Sequence, residues 1–509
     1  MFCAIGLVVS VLLAAARPTL AASRPVEVAF SRDTDFVDRL HTDSSESAAL
    51  SMAIFDTLLY RDPESGELQG LLASEWRWSA DKRAIDFELR RGVRFHDGES
   101  FDADDVVYTL SLAMNPRSGL RQREASFGFL KAVEKTGAYS VRVHLREASA
   151  TAEDVFASRL VMLPQSYGER HGGHSIHRTA PVGTGPFEVA KLVAGSEIVL
   201  GANPHYFRGP KPAARSESIR IRFMPDAQTQ LAELLSGSLD FAWDLPVNQA
   251  AMLTRDSRFV VGYAAGARLL FLSLDSAGRS GESPLRDRRV RQAIALAIDR
   301  SKIAAALGGS GSIPLVYQCH PLQMHCPSGD TAVVPTAPAR ARQLLAAAGY
   351  SSGFALELEF GSPRLRPVAE ALQWQLRQVA IEVTVRQFTL PAWRRRFLSG
   401  ASRASLVAYG GDLLHVAHTL PVFFDLGAND YVRDSALATV LRKAAQTPTA
   451  DESRELYGDA LRRIRAESYT VPIHAVVVNF VHRRDLCHRP GKRPLPNLMT
   501  IGACTNGGT

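Results

Sequence analysis
Two stretches early in the chain alternate strictly between apolar and polar residues. Ile85, Phe87 and Leu89 alternate with Asp86, Glu88 and Arg90, and Val141, Val143 and Leu145 alternate with Arg142, His144 and Arg146. A period of two puts one set of side chains on a core and the other in water, so both stretches predict half-buried strands. They fall in the region from about residue 50 to 180, which reads as one mixed, largely antiparallel subdomain. Further on, the pattern becomes strand–helix–strand. Ile219, Ile221 and Phe223 predict a strand; Pro225-Asp226 opens a helix carrying Leu231, Leu234 and Leu235; Gly237 ends it, and Leu239 to Trp243 predicts the return strand. The same order recurs with Phe354, Leu356, Leu358 and Phe360, a helix with Val368, Leu372, Leu376 and Val379 on one face, and a strand through Ile381, Val383 and Val385. Two such units far apart in the chain predict two α/β lobes. Between them, Val290, Ile294, Ala297 and Ile298 mark an amphipathic helix that follows Pro284-Leu285-Arg286-Asp287.

The first residues follow a different pattern. Ala4 to Ala16 is almost wholly apolar, followed by Arg17-Pro18 and then Thr19-Leu20-Ala21-Ala22. A short apolar core ending in small residues predicts a secretory signal over residues 1–21, cut after Ala21. No Lys or Arg precedes the apolar run, a departure from the usual signal pattern that leaves the start of translation open. The run is too short to span a membrane, and no later segment approaches that length. At 509 residues, with 46% apolar and 22% charged content, the chain is globular and large enough for two cores. The formal charge is +7, or one less without Arg17, and it is dispersed. Clusters such as Arg394-Arg395-Arg396 are short, so the basic stripe of a nucleic-acid-binding protein is missing. After removal of Cys3 with the signal, Cys319, Cys326, Cys487 and Cys504 remain. Four cysteines in an exported chain predict two disulfides, with three connectivities open. Closeness in sequence favours Cys319–Cys326 and Cys487–Cys504. No Cys follows the apolar run where a lipid would attach, so the mature chain is expected to be soluble.

Several blocks, in order along the chain, carry a resemblance. The strongest runs from Leu72-Ala73-Ser74-Glu75-Trp76 through Leu89-Arg90-Arg91-Gly92-Val93-Arg94-Phe95-His96-Asp97-Gly98 to Phe101-Asp102-Ala103-Asp104-Asp105-Val106-Val107-Tyr108. Its physics is a strand, a tight Asp97-Gly98 turn, and Asp102 capping an apolar helix. Pro181-Val182-Gly183-Thr184-Gly185-Pro186-Phe187 follows as a turn in which the glycines permit a sharp reversal. Asp287 to Arg300 and Val471-Pro472-Ile473-His474 complete the set. Together these blocks resemble the family-5 extracellular solute-binding proteins of ABC transporters, which include oligopeptide-, dipeptide- and nickel-binding proteins.

The resemblance implies a two-lobed, periplasmic-binding-protein-like α/β fold of class II, with mixed sheets and an extra subdomain inserted in the first lobe. It places lobe I at residues 22–50, 180–267 and 474–509, the extra subdomain at 51–179, and lobe II at 268–473. Arg268 to Asp275 would carry the chain into the second lobe and Ile473 to His482 would carry it back. A monomer in the periplasm would close over a small solute, most simply a peptide, and present it to ABC permease subunits in the inner membrane. No cofactor, catalytic residue or nucleic-acid partner is implied. In peptide-binding relatives a Trp-x-x-Asp stretch meets the peptide's amino terminus. Tyr409-Gly410-Gly411-Asp412 occupies that place, with Asp412 at the Asp position and Tyr409 for Trp. The pattern then departs, with Leu413-Leu414-His415-Val416 where the family continues with Tyr and Asp-Pro.

Arg364, in a loop between the carboxyl end of a strand and a helix, is the candidate partner for a ligand carboxylate. Histidines open a second ligand class, nickel or another metal complex. His415 and His418 lie beside Asp412, and imidazole with carboxylate suits such metals. The other cluster, His171, His174 and His177, precedes the Gly-Thr-Gly-Pro turn, away from the expected cleft, and reads as a solvated loop. Cys319-His320 and His325-Cys326 resemble a zinc knuckle, but export favours the disulfide. An opine-like conjugate is a third cargo. A hydrolase would need a Gly-x-Ser-x-Gly elbow or a His-Glu-x-x-His helix, and neither occurs. A ligand-sensing regulator would carry a DNA-binding domain where this chain carries its signal.

Overall fold
A computed structural model of the chain describes residues 24–33, 37–41, 44–120, 126–328, 332–333, 335–410, 414–447, 449–491 and 494–504. The apolar run at residues 1–21 lies outside them. A ten-stranded sheet runs through the molecule. From one edge its strands are Ile381–Gln387, Phe354–Phe360, Ala404–Tyr409, Phe259–Leu274, Thr470–Arg483, Phe241–Trp243, Val26–Phe30, Ser218–Phe223, Glu197–Ala202 and Phe187–Val193. The first three belong to one lobe and the last five to the other. The two long central strands are shared by both, and they contain the crossing segments expected around residues 268–275 and 473–482.

Strand alternation explains why each lobe is layered. In the second lobe Leu270, Leu272 and Leu274 pack with Val290, Ile294, Leu372 and Ile381. The intervening Leu269 and Phe271 pack on the opposite face with Phe423, Leu437 and Tyr457. In the first lobe Val28 and Phe30 enter one core while Ala29 enters another, with Leu231 and Leu234. A sheet covered on both faces must be apolar at consecutive positions, as these strands are.

Both predicted strand–helix–strand units form. Asp226 caps the helix Ala227–Ser236 by accepting from the Thr229 N–H, and Gly237 ends it in a left-handed conformation. Leu231 and Leu234 are buried, whereas Leu235, grouped with them by spacing, turns outward. The return strand is not beside the outgoing one: Val26–Phe30 lies between them, parallel to both. In the second unit the strands Phe354–Phe360 and Ile381–Gln387 are direct parallel neighbours.

Residues 73–145 contain a separate four-stranded sheet, ordered Ala73–Trp78, Ala84–Leu89, Ser140–Leu145 and Leu130–Gly137. All of its pairings are antiparallel, not mixed. Its inward residues Ile85, Phe87, Val141 and Val143 share one continuous core with Val28, Phe30, Ile219 and Phe480 of the main sheet. The inserted strands are thus fused to the first lobe by packing. Asp102 starts the helix Ala103–Met114 with a full capping box, its partner being Asp105. Both expected disulfides, Cys319–Cys326 and Cys487–Cys504, are formed. No described helix is long and apolar enough to cross a membrane.

The Gly183-Thr184-Gly185-Pro186 segment corrects one expectation. Neither glycine has a left-handed φ, so conformational freedom is not the reason for them. Close approach is. A Cβ on Gly183 would lie 2.2 Å from the Ile54 carbonyl oxygen, and one on Gly185 would lie 2.5 Å from the Ile54 carbonyl carbon. The Gly185 N–H donates to that same carbonyl at 2.9 Å. Between them, Thr184 Oγ1 donates to the buried Asp56, which also pairs with Lys211 Nζ at 2.8 Å. Gly185→Ala should therefore force backbone apart at a buried ion pair and cost about 2 kcal/mol or more. Urea unfolding at constant m-value should show a lower midpoint, and an unchanged midpoint would refute the close-approach reading.

Candidate functional site
In open α/β sheets ligands bind at the carboxyl ends of the parallel strands. Here those ends are Trp243 and Phe30 in one lobe and Phe360 and Tyr409 in the other. They face each other. Arg364, in the short Pro363–Leu365 turn beyond Phe360, places Nη1 3.0 Å from Asp244 Oδ2 and donates to the Asp244 carbonyl at 2.7 Å. Asp244 directly follows Trp243 and has a φ of 55°, a left-handed conformation that non-glycine residues rarely adopt. Arg364, read from sequence as a partner for a ligand carboxylate, is thus already paired across the cleft.

The lobes also meet through the inserted subdomain. The Ala150 N–H donates to the Ala445 carbonyl at 3.0 Å, and Gln446 Nε2 donates to Glu147 Oε2 at 2.6 Å. Beside these contacts is a cavity of about 290 Å³, lined by Trp78, Lys82 and Glu153 on one side and Met324, His325 and His415 on the other. The first-lobe wall carries the charge. Trp76 and Trp78 project from one edge strand, and both indole N–H groups donate to Glu153 Oε1, at 3.0 and 2.9 Å. Lys82 Nζ lies 5.5 Å from the centre of the Trp78 ring. Among the described residues neither Glu153 nor Lys82 forms an ion pair.

The opposite wall is neutral. The Cys319–Cys326 loop presents Met324, whose N–H donates to the Leu414 carbonyl at 2.8 Å, and its carbonyl accepts from the Val416 N–H at 3.3 Å. This pairing brings the His325 and His415 rings to 4.6 Å, centre to centre. His415 Nδ1 accepts from the Ala417 N–H at 3.0 Å, so the proton of the neutral ring sits on Nε2. Burial holds the His415 pKa well below the usual imidazole range, and His325, His418 and Arg61 push it the same way. The His418 ring centre is 6.4 Å from that of His415. Among the described residues no group of three or more His, Cys, Asp or Glu could hold a metal ion.

The Tyr409 ring stands edge-on to Phe423, with centres 4.9 Å apart, and Tyr409 pairs with Leu269 of the crossing strand. Gly410 ends the described stretch; Gly411, Asp412 and Leu413 lie outside it. The other histidines divide among three environments in the first lobe. His171 Nδ1 meets the Tyr167 carbonyl, His174 stacks on His41, and His177 is fully buried. None of them lines the interlobe cavity. Glu153, Lys82, Trp78 and Asp244 escaped the sequence reading, because no local spacing links residue 78 to 153 or residue 244 to 364.

The model of the "Bacterial extracellular solute-binding proteins, family 5 Middle" matches residues 67–430. The chain belongs to this family. It is 24% identical to the heme-binding protein A of Haemophilus influenzae, over 84% of this chain and 83% of the relative. It is 26% identical to the glutathione-binding protein GsiB of Salmonella paratyphi A, over 75% and 72% of the two chains. NikA of Brucella suis, solved in complex with Fe(III)-EDTA, superposes with a TM-score of 0.83 at 20% identity, over 94% of this chain and all of that one. The two-lobed fold is common to these proteins while their named ligands differ, so family membership identifies the scaffold and leaves the cargo to the cavity.

Two outcomes are expected for this family-5 protein. Desolvation pushes the buried His177 down to about 4. A base depressed in the folded state contributes stability that is present above its unfolded pKa, near 6.5, and is lost as pH falls toward 4. The loss attributable to His177 is about 3 kcal/mol. His177→Asn should flatten urea midpoints between pH 6.5 and 4, and an unaltered pH profile would rule His177 out as the source. The Arg364–Asp244 pair is partly exposed and is worth at most about 1 kcal/mol. Arg364→Ala should shift the ligand-free protein toward a larger radius of gyration in X-ray scattering; no expansion would show that the pair does not hold the lobes together.

Proposed function
We propose that this chain is the periplasmic solute-binding component of an ABC importer and that it captures a peptide-like zwitterion between its lobes. The observation that carries the cargo is a carboxylate and an ammonium, Glu153 and Lys82, both without an ion-pair partner among the described residues, on one wall of a cavity that the other lobe closes. Two indole donors already fix Glu153 Oε1, so the carboxylate is held in place to accept a ligand's ammonium. Lys82 suits a ligand carboxylate. The neutral imidazoles and the Met324 thioether opposite suit the uncharged middle of a short peptide. A glutathione-binding relative supports the same ligand class.

Asp412 remains a proposed ammonium anchor, with Tyr409, Gly410 and Gly411 as further ligand contacts, because Tyr409 ends a strand whose carboxyl end faces the cleft. Arg364 joins the ligand carboxylate once it releases Asp244, and His415 contributes its buried ring. Residues 1–21 export the chain, ABC permease subunits receive it when closed, and it acts as a monomer without catalysis. A metal complex is the second reading, favoured by the close His325 and His415 rings.

Peptide binding should raise the melting temperature and compact the protein in scattering. Glu153→Gln should weaken a dipeptide or tripeptide found by library screening about tenfold. If Glu153→Gln and Asp412→Asn both bind every such peptide as tightly as wild type, the zwitterion reading fails. Native mass spectrometry of protein taken from the periplasm, showing a metal chelate and no peptide, would replace it with the second reading.

A further inference from the structure
The second lobe holds another cavity, of about 390 Å³, with no first-lobe residue in its lining. Three guanidinium groups border it, from Arg300, Arg340 and Arg465, together with apolar surface from Leu296, Leu315 and Leu344. Among the described residues no carboxylate lines it.

Arg300 is the informative member. It stands at the first position of the helix Arg300–Leu307, capped by Asp299, and its residue surface is 8% exposed. Nε donates to the Pro472 carbonyl at 2.7 Å and Nη1 to the Ala295 carbonyl at 3.1 Å. Nη2 makes no hydrogen bond among the described residues, yet it is not sealed from solvent. Among the described residues no carboxylate forms an ion pair with Arg300. Burial, reinforced by repulsion from Arg465, pushes the group down to about 10. Buried ions are ordinarily paired, because carbonyl dipoles alone replace only part of the lost hydration.

The other two cations are arranged differently. Arg340, on the exposed side of the helix Pro338–Ala347, donates to Gln343 Oε1 at 3.0 Å. Arg465 lies over the Tyr317 ring, 5.2 Å from its centre, and donates to the Tyr317 hydroxyl at 3.3 Å. Capping of the Ala295 carbonyl accounts for one donor of Arg300. It does not account for the remaining donor of Arg300, or for Arg300 and Arg340 bordering one cavity that no carboxylate lines among the described residues.

We propose that this cavity is a second binding site, separate from the interlobe site, for a small organic anion. The oxyanion head lies between Arg300 and Arg340, and the apolar body lies on Leu296 and Leu344. The volume falls within the range of about 300–1,000 Å³ typical of small-molecule pockets. A guanidinium fork suits carboxylate and phosphate alike.

Isothermal titration calorimetry on the full mature protein at fixed ionic strength tests this, with phenyl phosphate, inorganic phosphate and benzyl alcohol as probes. Phenyl phosphate should bind, inorganic phosphate should bind more weakly, and benzyl alcohol should not bind measurably. Arg340→Ala, at an exposed position whose loss leaves packing intact, should weaken phenyl phosphate about tenfold. Arg300→Gln should weaken it at least as much, provided circular dichroism shows a folded protein; Arg340→Ala alone decides the matter if it does not. Failure of wild type to bind phenyl phosphate, or equal binding by wild type and Arg340→Ala, would overturn the site. Equal affinity for the two phosphates would overturn its assignment to an organic anion.

Discussion
The pairing of the two crossing strands is the constraint on which the rest of the structure depends. Phe259–Leu274 and Thr470–Arg483 run antiparallel from Phe259 opposite Arg483 to Ser273 opposite Thr470. Because both lobes hang on this ladder, their strand ends are held face to face without any covalent link across the cleft. The register breaks between Ala265 and Leu269, where the strand carries more residues than its partner spans. Such a bulge is where a ladder bends at least cost. Tyr409, the last residue of the strand Ala404–Tyr409, pairs with Leu269 immediately beside it.

What the sequence made legible was whatever depends on near neighbours. Alternation at Ile85–Leu89 and Val141–Leu145, the Asp102 and Asp226 caps, the helix from Arg288 with its buried Val290 and Ile294, and both disulfides are short-range patterns, and each is present. Where the reading failed, the cause lies between elements. Gly183 and Gly185 are glycines because Ile54, far away in sequence, passes too close for a Cβ. The inserted sheet shares its core with the first lobe because its apolar face has no partner of its own. Arg364 was placed correctly on a strand-end loop, but its partner, Asp244, comes from the other lobe. The cavity carboxylate is Glu153, fixed by Trp76 and Trp78 through tertiary contact alone.

Charge is handled in two ways in this molecule. Most buried charge is neutralised within the scaffold. Asp56 is met by Lys211, Glu359 by Arg396 and Ser402, and Asp240 by Arg24 and Arg483. These pairs fix the packing of elements and have little capacity left for a ligand, since breaking a buried pair leaves an uncompensated charge. Against that background Glu153, Lys82 and Arg300 are exceptions. Each borders a cavity, and each is oriented by neutral groups, indole N–H donors, an aromatic face or backbone carbonyls, that position a charge without cancelling it.

The same distinction bears on closure. Among the described residues, the contacts that reach across the cleft include the partly exposed Arg364–Asp244 pair with its bond to the Asp244 carbonyl, a backbone hydrogen bond at Ala150 and a surface amide at Gln446. Contacts of this kind contribute about 1 kcal/mol or less apiece. Weak contacts of this kind add little to the cost of opening, and a ligand able to touch both walls would shift the population by its differential affinity. A cavity with all its charge on the first-lobe wall and neutral imidazoles on the other fits that role. On the proposed reading, a ligand would dock first on the charged wall, whose Glu153 is already fixed by Trp76 and Trp78 within the first lobe. The second lobe then adds contacts that exist only when closed. On the proposed reading, discrimination between cargoes would belong to Lys82 and Glu153, and commitment to closure to His325, Met324 and His415.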